Sequence, residues 1–148
     1  MSDNKHDVVK ALEVLLADSY TLYLKTHSYH WNVTGPMFTT LHTLFETQYT
    51  ELALAIDEIA ERIRSLGRPA PGSFTQFMKL ASVQEDSGVP AATTMIENLV
   101  GDYQKVIDSA RALVRAGEAA GDDASVDLGV RRIEVHEKGA WMLRSHLE

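Results

Sequence analysis

Apolar residues recur every three or four positions through four long stretches of the chain, while its four prolines and the segment "RAGEAAGDD" fall only between those stretches. A repeat near the helical period predicts four amphipathic helices. The first, over residues 5–33, carries its stripe at Val8, Leu12, Leu15, Leu22 and Val33. The second, over 37–66, uses Phe38, Leu41, Phe45, Tyr49, Leu52, Ile56, Ile59 and Ile63. Met95, Leu99, Tyr103, Val106, Ala110 and Leu113 mark the third, over 91–117, and Val126, Ile133, Ala140, Leu143 and Leu147 the fourth, over 123–147. Each helix presents one face to a common core.

The connections predict how the helices are joined. "TGP" at 34–36 is too short for anything but an antiparallel hairpin of the first two helices, and the link between the third and fourth is nearly as short. The segment "GRPAPGSFTQFMKLASVQEDSGVP" is long enough to cross the bundle, and its middle, with a serine start and clustered apolar residues, predicts a short extra helix. The expected fold is therefore all-α: a ferritin-like four-helix bundle with a short extra helix in the long connection between helices two and three. The length of 148 residues fits one such domain over 1–148.

Composition then narrows the chemistry. A chain with 45% hydrophobic and 24% charged residues can bury a substantial core. No cysteine is present, which excludes disulfides and thiolate metal sites and leaves nitrogen and oxygen ligands for any metal. The polar start "MSDNKHDVVK" has no apolar leader core and no run reaches membrane length, so a cytoplasmic protein is expected. A net charge of −7 disfavours nucleic acid and favours cations.

Histidines and carboxylates edge the first two helices. His30 falls within the first stripe, and His42, Glu46, Asp57 and Glu61 run along one margin of the second. His42 with Glu46, and Asp57 with Glu61, are each four residues apart, so each pair converges on one point. The plain alternative for any one pair is a flank residue satisfied by hydrogen bonds or salt bridges. Residues 42 and 57 are about 22 Å apart on a helix rising about 1.5 Å per residue, too far to share a metal within one chain. Two copies of helix two packed antiparallel about a two-fold axis near Glu51 and Leu52 would bring 42 and 46 of one chain to 57 and 61 of the other. His30 lies just before the turn and His42 just after it, so both join one half-site. The expected ligand set is His30, His42 and Glu46 from one subunit with Asp57 and Glu61 from its mate, a mixture suited to Fe(II). A di-iron site inside a single bundle would need Glu-x-x-His motifs. The sequence has none; "EVHEK" at 134–138 has the wrong spacing.

The stretch "HWNVTGPMFTTLHTLFETQYTELALAIDEIAERIRSLG", together with "HEKGAWMLR", closely resembles the Dps proteins, or miniferritins, over nearly the whole chain. The resemblance implies a hollow homo-dodecamer that oxidises Fe(II), preferably with hydrogen peroxide, and keeps ferric mineral inside. It implies that His30, His42, Glu46, Asp57 and Glu61 form a ferroxidase centre between two-fold-related subunits. Where this chain has Glu46 the family often has Asp, a shorter arm for the same ionised ligand. Trp31 matches the indole that the family places near the centre, the alternative being an aromatic that fills a subunit contact. Asp122, Asp123 and Asp127 open the fourth helix, where carboxylates suit a helix N-terminus; the resemblance also implies that this region lines acidic pores for iron entry.

The other histidines carry less. His27 borders the face of His30 and suits a supporting role more than a ligand. His136 belongs to the apolar series of helix four and reads as a core or interface residue. His6 and His146 earn no role. The competing function is a nucleoid-associated protein that binds and compacts DNA. Lys5 and Lys10 are opposed by Asp3 and Asp7, and "RSHLE" is not basic, so direct DNA binding is not expected.

Overall fold

The computed structural model describes residues 3–148. Five α-helices follow one another along the chain: α1 (Asp3–Asn32), α2 (Phe38–Ser65), α3 (Phe74–Leu80), α4 (Ala92–Ala120) and α5 (Asp123–Arg144), closed by a single 3-10 turn over Ser145–Leu147. No strand occurs among the described residues. The four long helices are those expected, and the short α3 sits in the long connection.

Local chemistry accounts for the boundaries. Gly35 turns the chain from α1 into α2 at φ 102°, a left-handed conformation that side-chain-bearing residues avoid. Ser73 caps α3 by accepting a hydrogen bond from the Gln76 amide. Gly121 ends α4 at φ 67° while the Asp122 amide bonds back to the Gly117 carbonyl. Asp122 in turn caps α5 by accepting from the Ser125 amide.

α1 lies at the centre of the packing, against α2, α3 and α4, and α4 pairs with α5. Leu12, Leu15 and Leu22 of α1, Leu41, Phe45, Leu52, Ile59 and Ile63 of α2, and Met95, Leu99, Val106 and Leu113 of α4 are all buried in one cluster. Each such side chain contributes on the order of 1.5–3 kcal/mol relative to exposure. Gly129 lets α5 approach α4, because a Cβ there would lie 2.8 Å from Val114 Cγ2. Two of the predicted core residues are exposed. Phe38, in the first turn of α2, is 42% exposed and stacks on His42, and Leu147, beyond the last α-helical turn, is 42% exposed. A stripe continued to the tip of a helix runs past the neighbour that would bury it.

α2 and α5 meet differently. Their backbones scarcely approach, and polar side chains bridge the seam: Gln48 donates to the Gly139 carbonyl, Arg132 forks onto both carboxylate oxygens of Glu51, Arg131 does the same to Glu58, and Arg62 reaches Asp122 and Ser125. The long connection is latched to α1 by buried polar groups. Asp18 accepts four hydrogen bonds, from the Ser82 and Val83 amides and the Ser82 and Ser109 hydroxyls. Lys25 pairs with Asp102 at 2.8 Å and donates to the Gln84 carbonyl, and the Tyr29 hydroxyl donates to Asp86 while accepting from Asn98.

Candidate metal centre

The α1–α2 hairpin brings His30 and His42 together across its turn. Their rings stack with centroids 3.8 Å apart and planes 13° from parallel. Each Nδ1 lies 2.7 Å from the other residue's backbone carbonyl oxygen. A carbonyl oxygen only accepts, so both Nδ1 atoms carry a proton, and in the neutral form of each ring the lone pair lies on Nε2. Backbone carbonyls orienting a histidine through one nitrogen leave the other ready for a metal.

Glu46 completes the cluster one helical turn after His42. Its Oε1 stands 3.8 Å from His30 Nε2, too far for a hydrogen bond, yet a gap that two ligand bonds of about 2.0–2.2 Å can bridge. The His30 side chain is 8% exposed and that of Glu46 60%, so the donors sit at the edge of the fold and open outward. Asp57 and Glu61 are exposed further along α2 and do not join this cluster. Among the described residues no three His, Asp or Glu side chains are gathered so as to hold a metal ion by themselves. The single chain thus holds His30, His42 and Glu46 near one another and Asp57 with Glu61 as a separate exposed pair. Between the halves Leu54 is 72% exposed, a large apolar side chain on the outer face of α2.

Aromatic rings surround the histidines. His27 packs between Trp31, at a centroid distance of 4.0 Å, and Tyr49, at 4.3 Å. Burial lowers the His27 pKa, with a smaller contribution from His30, which disfavours a second cation beside the centre. Trp31 is 59% exposed, with its ring against His27. Of the three carboxylates at the start of α5, Asp122 is taken by its capping role and by Arg62, and Asp127 by Arg131. Asp123 alone is left exposed without a partner. His136 is buried between α4 and α5, its Nε2 facing the Arg132 guanidinium, and burial pushes its pKa down to about 3.

Several groups were not foreseen. Tyr49 read as an ordinary stripe residue and proves to be the ring on which His27 and His30 lean. Asp18 stands inside the apolar run "VLLADSY", and that isolated carboxylate was the signal for a buried anchor.

Comparison with known proteins agrees with this architecture. The ferritin-like domain family matches residues 9–148, which places the bundle in that class. A low-temperature-induced protein of Nostoc is 44% identical over 148 residues, covering 99% of this chain and 83% of its own. The DNA protection during starvation protein 2 of Bacillus anthracis is 36% identical over 140 residues, covering 95% and 96%. Crystal structures of the Dps proteins of Bacillus brevis and Vibrio cholerae superpose with TM-scores of 0.96 and 0.93 at 32% identity. The first covers 100% of this chain and 99% of its own, and the second 98% and 91%. The Vibrio protein is described as a member of the ferritin-like diiron-carboxylate superfamily. The chain belongs to the Dps family.

Proposed function

We propose that the protein is an iron-storing ferroxidase that oxidises Fe(II), with hydrogen peroxide as the preferred oxidant, at centres shared between two-fold-related subunits of a hollow dodecamer. The ferric product stays inside as mineral, and removing Fe(II) and peroxide together protects against oxidative damage. The observation that carries this reading is the reciprocal pair of Nδ1 hydrogen bonds, which leaves Nε2 as the ligand atom of each ring, with the exposed Glu46 carboxylate 3.8 Å from that of His30. Neutral imidazole and carboxylate suit ferrous iron. His30, His42 and Glu46 hold the substrate ion from one chain, and Asp57 and Glu61 of the mate supply the remaining oxygens. Exposed Leu54 favours self-association along α2. Two Fe(II) ions give one electron each to peroxide, whose O–O bond breaks to two oxygens at the level of water. Trp31 stands near the centre through His27, and exposed Asp123, with Asp122 and Asp127 beside it, draws Fe(II) toward an entry pore.

The test is complementation. A variant lacking His30 and His42 and another lacking Asp57 and Glu61 should each be inactive toward Fe(II), with peroxide faster than dioxygen in the parent. Co-refolding them in equal amounts makes about half the dimers mixed and restores about a quarter of all sites, because one site in each mixed dimer joins the two intact halves. A mixture as inactive as its parents, with mixed dimers verified, rejects the shared centre.

A further inference from the structure

The seam between α2 and α5 also holds a cleft of about 370 Å³, walled by Leu44, Val135 and Met142 and lined besides by Gln48, His136 and Tyr103 of α4. That volume suits a small organic molecule. Gly139 shapes the floor by letting the Tyr103 ring lie against α5, since a Cβ there would stand 2.5 Å from Tyr103 Cε2. Hydrogen-bonding groups at this cleft lack partners. Gln48 spends its amide nitrogen on the Gly139 carbonyl at a long 3.3 Å, and its Oε1 is buried and unanswered. Burial keeps the His136 ring neutral, and its Nε2 faces the Arg132 guanidinium, which only donates, so the ring's one proton sits on Nδ1. That Nδ1 is buried without an acceptor. The Tyr103 hydroxyl makes no hydrogen bond among the described residues, although the residue is 2% exposed. Buried polar groups are nearly always paired, so one acceptor and two donors unanswered at one cleft call for an explanation. The charges, by contrast, are answered: Arg132 forks onto Glu51, which leaves exposed Lys138 as the one uncompensated charge among the lining residues.

We propose that this cleft binds a small neutral ring compound bearing one hydroxyl, a phenol or an aryl alcohol. The ring lies against Leu44, Val135 and Met142, whose thioether suits an aromatic neighbour. A hydroxyl both donates and accepts, so it donates to Gln48 Oε1 and accepts from Tyr103 or His136. Gln48 turns toward it, giving up a bond that is already long. A carboxylate would leave Gln48 Oε1 unanswered, and an ammonium would leave the His136 Nδ1 proton so. A hydrocarbon of the same shape would cover all three groups and answer none. The bound ring ties α2 to α5 where their backbones scarcely meet. None of the cleft residues is a proposed iron ligand, and the site does not depend on iron oxidation.

The experiment titrates the assembled, iron-free protein calorimetrically with p-cresol, p-xylene and p-toluate, which share one shape and differ in one group. Methionine methyl signals of selectively labelled protein locate the binding. p-Cresol should bind about ten-fold more tightly than p-xylene, the effect of one net hydrogen bond, and p-toluate should bind less tightly than p-cresol. The methyl signal of Met142 should shift with p-cresol, while that of Met78, which lines a separate cleft beside α3, should stay in place. Q48M keeps the bulk of the side chain without the acceptor and should erase the preference for p-cresol over p-xylene. M142W fills the cleft and should abolish binding of both. The titrations and methyl shifts of the parent decide the matter even where a variant fails to assemble. Equal affinity for p-cresol and p-xylene, tighter binding of p-toluate through Lys138, or a shift at Met78 in place of Met142 overturns the proposal.

Discussion

Two polar clusters on α1 make opposite use of buried side chains. Around Asp18 every lone pair is answered: two amides and two hydroxyls converge on one fully buried carboxylate and tie α1, α4 and the long connection together. Around His30 and His42 only half of the donors and acceptors are answered. The two Nδ1 atoms are satisfied by backbone, while neither Nε2 atom makes a hydrogen bond and the Glu46 carboxylate stands 3.8 Å from His30 Nε2. A closed cluster stabilises the fold, because removing any member strands the others away from water. An open cluster contributes less to stability and keeps its electron pairs for something that arrives from outside. The same helix carries both, twelve residues apart between Asp18 and His30.

That contrast can be broken in order of expected effect. H42A removes a ligand and also the carbonyl-bound ring that orients His30, so Fe(II) affinity should fall by more than about 100-fold, beyond the range typical of a supporting residue. Its urea unfolding midpoint should stay close to the parent's; calorimetric titration with Fe(II) under argon, beside the unfolding curve, checks both. D18A should do the reverse. It strands the Ser82 and Val83 amides and the Ser109 hydroxyl, at a cost of roughly 2–4 kcal/mol of stability, with Fe(II) affinity unchanged. Equal effects of the two variants on binding and on stability would erase the distinction between open and closed clusters.

His136 sharpens the comparison with a smaller, pH-dependent effect. It is buried with its neutral form favoured, first by burial and then by Arg132, and its pKa is depressed from the ordinary value to about 3. The unfolded chain therefore takes up a proton that the folded chain refuses. The contribution is fully present above about pH 6.5 and is lost as pH falls toward 3, with a slope of up to about 1.4 kcal/mol per unit from this one group. Arg132, one turn before His136 on α5, faces its Nε2 and forks onto Glu51 of α2. H136L should flatten the acid limb of stability against pH by one proton, as measured by urea unfolding at successive pH values. An unchanged slope would show that other groups govern acid unfolding.

Much of this was legible from the sequence. The four helices, the hairpin at Gly35 and the short α3 depend on contacts between residues within a turn or two of each other, so periodicity and caps revealed them to within a few positions. The candidate ligands were legible too, because i and i+4 carboxylates and imidazoles on a helix margin are a local pattern. Phe38 and Leu147 were misplaced, since periodicity says which way a side chain faces and not whether a neighbour reaches it.

The sequence by itself determined the bundle class, the candidate ligand residues and the absence of sulfur ligands, all of which follow from residue type and spacing along the helices. Only the tertiary structure decided which nitrogen each histidine offers, that Asp18 anchors a connection 64 residues away, and that α2 and α5 meet through arginines rather than through a packed apolar face. Those outcomes depend on distances between helices, set by the packing of the whole core, and a periodic pattern carries no information about atoms on a helix it does not belong to.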